Sequence, residues 1–245
     1  MTQVIEDPIY GRHYEFDCRL LPSVTTILQA TKSARDSEAL ATWASSIGQD
    51  QAELIRQESA QRGTNLHSLI ELFLTGYDSS TLEETAHAQG ILPFWSSVQT
   101  ALTRIKTVQL IEQAVHHPQY CYAGSLDLLA EVEFTDPLTK ATAQRTVLID
   151  WKTSGKTKKR EWLGDYTLQL AAYWLATNLQ TDHPIPEAWI VLAHPNGAAQ
   201  IHRFLTKELE SLSKEWLRRL HEFWERNPEH PLAEKASQET LFAIF

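Results

Sequence analysis

Residues 147 to 153 read Val147-Leu148-Ile149-Asp150-Trp151-Lys152-Thr153, an apolar run that ends in an acid, an aromatic and a lysine. Strand side chains alternate between faces, so Asp150 and Lys152 share one side and Ile149 and Trp151 the other. Burying charge is costly unless it is paired or bound to a metal. Such a strand needs either a salt-bridged pair at a sheet edge or a divalent-cation site with a lysine beside it. On these residues alone both readings stand.

The whole chain narrows the choice of partner. Its 245 residues, 42% hydrophobic and 22% charged, suit a soluble globular protein with a sizeable core. No apolar run approaches the ~18 residues of a membrane span. The N-terminus, with Glu6 and Asp7 early, has the pattern of neither a signal nor a transit peptide. Cys18 and Cys121 are the only cysteines. Two thiols exclude a disulfide framework, a four-cysteine zinc site and a cysteine-held iron–sulfur cluster, and a reducing cytoplasmic setting is the default. The net charge of -9 argues against coating nucleic acid by bulk charge. It leaves room for a nucleic-acid enzyme whose site needs carboxylates. The one dense basic stretch, Lys152, Lys156, Lys158, Lys159 and Arg160, begins inside the opening motif.

Taken in order, Tyr10-Gly11-Arg12-His13-Tyr14 reads as a turn between short extended pieces, and Ser23 as the cap of a short helix through Leu28. Helical spacing covers 37 to 47, with Gly48 as its stop. A polar helix over 49 to 61, a junction at Arg62-Gly63-Thr64 and a largely buried helix over 64 to 75 follow. On the last, His67 and Glu71 share a face, and His67 is either a hydrogen-bonded core residue or a ligand. Residues 76 to 90 read as a polar loop with room for a helical turn, and Pro93 as the first turn of another helix. From Val108 the period becomes extended, with strands over 108 to 116, 121 to 133 and 144 to 152. The last two read as an antiparallel hairpin that passes Asp136-Pro137 and is centred near residue 139. That register sets Asp127 almost opposite Asp150 and Lys152, and two carboxylates so close repel unless a cation lies between them. A helix over 163 to 179 carries Gln169 and Tyr173 on one face, and strands over 187 to 194 and 199 to 205 follow. Thr206 is read as the cap of a long amphipathic helix, and 229 to 245 as a loosely packed tail. His116 and His117, adjacent on a strand, point to opposite faces and read as incidental. The order predicts an α/β fold: a central mixed sheet of about five strands flanked by helices. A single domain is expected, with 1 to 106 mainly helical, the motif-bearing sheet and helices over 107 to 226, and a tail over 227 to 245.

Together, Gly63-Thr64-x-x-His67, Gly124-Ser125-Leu126-Asp127, Ile149-Asp150-Trp151-Lys152-Thr153 and Gln169-x-x-x-Tyr173, in that order, resemble the RecB-like branch of the PD-(D/E)xK nuclease superfamily. The resemblance spans roughly residues 20 to 226. Pro22-Ser23-Val24-Thr25, Glu112-x-Ala114-Val115 and Asp150-Trp151-Lys152-Thr153-Ser154 are most similar to the genome-maintenance exonucleases of mitochondria and their bacterial and phage relatives. The resemblance implies a restriction-endonuclease-like fold and a metal-dependent DNA exonuclease acting on single strands or strand ends, in repair, recombination or replication. It implies that Asp127, Asp150 and Lys152 are catalytic. Asp127, Asp150, His67 and the Trp151 backbone carbonyl would hold one or two Mg²⁺ or Mn²⁺ ions. Glu112 matches an acid of these relatives, with metal contact, support of a ligand and structural pairing all open to it. Gln169 and Tyr173 would position the DNA, and Lys156, Lys158, Lys159 and Arg160 are expected to bind it. The alternatives are a catalytically silent nuclease fold used for DNA binding or scaffolding, and a structure-specific endonuclease.

Overall fold

The computed structural model describes residues 3–135, 139 and 141–244; the expected loop at Asp136-Pro137 lies outside them. The opening motif lies on the middle strand of a five-stranded sheet, in the order β4 (Ile105–His117), β5 (Tyr122–Thr135), β6 (Thr142–Thr153), β7 (Glu187–Ala193), β8 (Gln200–Leu205). Neighbours are antiparallel except β6 and β7. A parallel pair needs a crossover, and α6 (Asp165–Asn178) provides it. β7 is buried along its whole length, and the apolar run after Glu187 suits a strand covered on both faces.

Helices cover both faces. On one, α3 (Gln49–Leu74), preceded by α2 (Ala34–Ile47), joins α4 (Ser79–Ala88) and α5 (Leu92–Leu102) in packing Leu66, Leu69, Ile70 and Trp95 against Ile149 and Trp151. On the other, α1 (Val24–Ala30), α6, α7 (Thr206–Arg226) and α8 (Ala233–Ile244) pack Ile27, Leu170, Trp216 and Leu220 against Leu148 and Ile190. Each such side chain contributes roughly 1.5–3 kcal/mol on burial. Ser23 caps α1 as its sequence predicts, accepting from the Thr26 N–H at 3.0 Å. No helix among the described residues is long and apolar enough to cross a membrane.

Several sequence expectations fail for identifiable reasons. The two helices expected over 49 to 61 and 64 to 75 are one unbroken helix, α3. Gly63 interrupts nothing, because an isolated glycine costs a helix only about 1 kcal/mol and good helix formers flank it. The loop expected over 76 to 90 holds α4, started by the Asp78 carboxylate accepting from the Thr81 N–H and fixed by buried Leu82 and Ala86. Two apolar contacts were too few to show a period. The short extended pieces are present, but the turn between them falls at residues 8 to 10 and residues 11 to 14 are strand, within an antiparallel sheet of β1 (Val4–Asp7), β2 (Gly11–Phe16) and β3 (Arg19–Pro22). Thr206 does not cap α7: the carboxylate of Glu208 takes the Leu205 N–H, and the Thr206 hydroxyl donates to the Pro186 carbonyl. The tail is not loose, since α8 buries Ala233, Ala236 and Thr240 beside α7.

Candidate metal centre

Strand register builds the site. Ile111 pairs with Leu128 and Gln113 with Leu126, which sets Glu112 opposite Asp127; Leu128 pairs with Ile149, which sets Asp127 beside Asp150. Three acids therefore stand abreast on three strands. Glu112 has φ 44, a left-handed conformation that costs a non-glycine residue of order 1–3 kcal/mol and persists where the surroundings impose it.

α3 brings His67 over the row. Its Nδ1 lies 3.3 Å from Glu112 Oε1 and 3.6 Å from Asp127 Oδ1. Its Nε2 is 2.9 Å from the Trp151 carbonyl, which can only accept, so that nitrogen carries the proton. The Trp151 N–H in turn donates to Asp127 Oδ2 at 2.7 Å. One residue of β6 thus orients both the acid and the imidazole. The carbonyl expected as a metal ligand is at the site but engaged by His67. Ligand atoms of His67, Glu112 and Asp127 all lie within 4.8 Å of one another. Such a trio can hold a metal ion.

Asp150 is fully buried. Lys152 Nζ is 2.5 Å from its Oδ2 as an ion pair, yet neither oxygen accepts a well-directed hydrogen bond among the described residues. Burial raises the Asp150 carboxyl above the usual carboxylate range, against the pull of Lys152. Burial would lower Lys152, but Asp150 and Asp127 outweigh it, so the ammonium is held more tightly than usual. For His67, burial also works downward; the Asp127 charge and the Glu112 hydrogen bond overcome it and carry the imidazole to about 9. Without a metal it is an imidazolium.

Gln169 and Tyr173 arrive on α6, with the Gln169 amide donating to the Tyr173 hydroxyl at 3.1 Å. The tyrosine ring lies on Gly124, where a Cβ would fall 2.5 Å from Cε1. Only glycine admits the ring so close. These residues, with His67, Glu112 and Asp127, line a cleft of about 490 Å³.

The basic stretch does not join the cleft. Arg160 is paired with Glu208 at 2.7 Å and lies over the Phe204 ring. Lys159 lies over Trp162, while Lys158 shares the Tyr166 ring with Lys152. Lys156 is exposed. His116 and His117 stack on Phe16 and Tyr120, away from the acids. Sequence reasoning missed Arg12, Tyr14 and Thr25, which line the same cleft. β2 and α1 reach it because Ser23, beside Thr25, forms a parallel bridge with Ala123 next to Gly124. Only Pro22-Ser23-Val24-Thr25 hinted at this.

No protein-family model matches the chain. It is homologous to mitochondrial genome maintenance exonuclease 1: the Xenopus tropicalis protein is 32% identical over 218 residues, 85% of this chain and 59% of that one. The Mus musculus protein is 31% identical over 214 residues, 84% of this chain and 60% of that one. The chain thus spans about three fifths of the relatives' length. A solved structure from Eubacterium rectale, provisionally described as an exonuclease, aligns at a TM-score of 0.40 and 9% identity over 72% of this chain and 68% of that one.

Proposed function

We propose that this chain is a divalent-metal-dependent deoxyribonuclease that removes nucleotides from single-stranded DNA or from DNA ends. The observation that carries this reading is Asp150: a buried carboxylate without a well-directed hydrogen bond, beside a lysine and next to Asp127. Full burial of a charge on such terms is sensible where a cation completes it.

The donor set fits one. Carboxylate oxygens from Asp127, Asp150 and Glu112 suit Mg²⁺ or Mn²⁺, and the His67 imidazole suits Mn²⁺ better. A divalent ion bound there supplies a water of lowered pKa and polarises the phosphoryl oxygen. The chain's own residues do the rest. Lys152, kept as an ammonium, places positive charge where the phosphate gains negative charge. Trp151 fixes Asp127 and His67 through its backbone. Gln169 and Tyr173 hold the strand. The names of the relatives support exonuclease rather than endonuclease action.

An end-labelled oligonucleotide and a closed DNA circle, each with Mg²⁺ or Mn²⁺, test the proposal. Expected are stepwise shortening of the oligonucleotide, an intact circle, no reaction in chelator, and loss of cleavage by about 10³-fold in Asp150→Ala and Lys152→Ala. An opened circle would make the protein an endonuclease. Tight binding without cleavage of either DNA would make it a silent binding module.

A further inference from the structure

Gly63 sits inside α3 for no reason that the protein's own packing supplies. Its φ is not left-handed, and a Cβ there would meet nothing within 4 Å. Gly124 is the opposite case, with an aromatic ring where its Cβ would be. A helix-interior glycine destabilises relative to alanine, so the missing side chain at Gly63 needs another explanation. Gly63 lies one turn before His67, on the helix face that lines the cleft.

β2 brings Arg12 to the same cleft. It is the only lysine or arginine among the described residues lining it, against the acids Glu71, Glu112 and Asp127. Its backbone carbonyl accepts from the Ser23 N–H at 2.9 Å, and its guanidinium lies 5.2 Å over the Tyr14 ring. Among the described residues it has no carboxylate partner. An arginine held in place with its donors free is suited to a phosphate.

We infer that the space between Arg12 and Gly63 seats the sugar–phosphate backbone of the DNA strand beside the acid row, with Arg12 contacting a phosphate and Gly63 leaving the room. Phosphate contacts of this kind fix position and carry no sequence preference. This subsite rests on the nuclease reading and says where the substrate lies within it.

Steady-state cleavage and binding of an end-labelled single strand, with melting of each variant, test the subsite. Gly63→Ala and Gly63→Leu should melt about 2–4 °C higher than the parent, as helix propensity favours both. Gly63→Leu should nevertheless raise KM by about tenfold or more. Arg12→Ala should raise KM about tenfold with little change in kcat, and flatten the logarithmic salt dependence of binding by about 0.7. Arg12→Lys should recover most of the loss. Unchanged KM in both Gly63→Leu and Arg12→Ala, with wild-type cleavage intact, would overturn the subsite and leave the nuclease reading standing. A protein that cuts no DNA but binds it with the same dependence on Arg12 and Gly63 would keep the subsite and sink the nuclease reading.

Discussion

Asp150 on β6 and Glu187 on β7 are buried carboxylates on adjacent strands of one sheet. Glu187 is fully provided for. It accepts from the Trp189 indole N–H at 2.6 Å and from two Arg203 nitrogens, with Arg145 3.7 Å away. Asp150 has one ammonium beside it, no well-directed hydrogen bond, and a carboxyl raised by burial. Burial is common to both, so burial alone marks nothing. What differs is completeness: Glu187 has three donors directed at it, whereas Asp150 has the Lys152 ammonium alone among the described residues.

The largest effects should come from neutralising each acid in turn. Glu187→Gln should lower unfolding free energy by about 2–4 kcal/mol, leaving Arg203 and Trp189 short of an acceptor, and spare kcat. Asp150→Asn should abolish cleavage and destabilise the metal-free protein at pH 8 less than Glu187→Gln does, since Lys152 loses one carboxylate but keeps Asp127 nearby. An acid with a raised folded pKa opposes folding at alkaline pH, and asparagine removes that penalty. If denaturant melts show equal destabilisation in both variants, the contrast between the two acids is lost.

A middle-sized effect should follow from His67. Its folded pKa, about 9, exceeds its ordinary value of 6.5. Its charge therefore stabilises the metal-free fold fully below pH 6.5, and that contribution fades as pH rises through 9. Melting in chelator should show stability falling across this window, and His67→Gln should flatten the fall. Because a ligand histidine must lose its proton, metal should bind more tightly as pH rises. His117 and His230, held near 4 by burial, act in the other direction and weaken the fold only as pH drops below 6.5.

The smallest effect sharpens the same distinction at the surface. Arg160 is already paired with Glu208, whereas Lys156 has no carboxylate partner among the described residues. Replacing Lys156, Lys158 and Lys159 with alanine should weaken DNA binding about threefold or more and reduce its salt dependence. Arg160→Ala should change binding less and stability by under about 1 kcal/mol. Equal binding losses would mean that the Glu208 pair opens for DNA.

Legibility followed distance along the chain. The β5–β6 register needs only alternation and a hairpin, so the sequence alone sets Asp127 beside Asp150. The α6 pair Gln169 and Tyr173 needed only a 3.6-residue period. Glu112 remained open because its placement depends on a left-handed φ that no local pattern announces. Arg12 was invisible because it joins the cleft through Ser23 and Ala123, about a hundred residues apart in sequence. The continuity of α3 is not legible because a lone Gly63 carries the same local signal whether a helix ends there or runs through.

That long helix also bears on how the chain is made. Leu66, Leu69 and Ile70 rest on strands that are synthesised only later. A chain emerging from the ribosome must carry this apolar stripe uncovered until β6 and β7 have followed it out. Surfaces of that kind invite aggregation or chaperone capture. Slowing translation after α5 should therefore lower the yield of folded protein more than slowing it after β7.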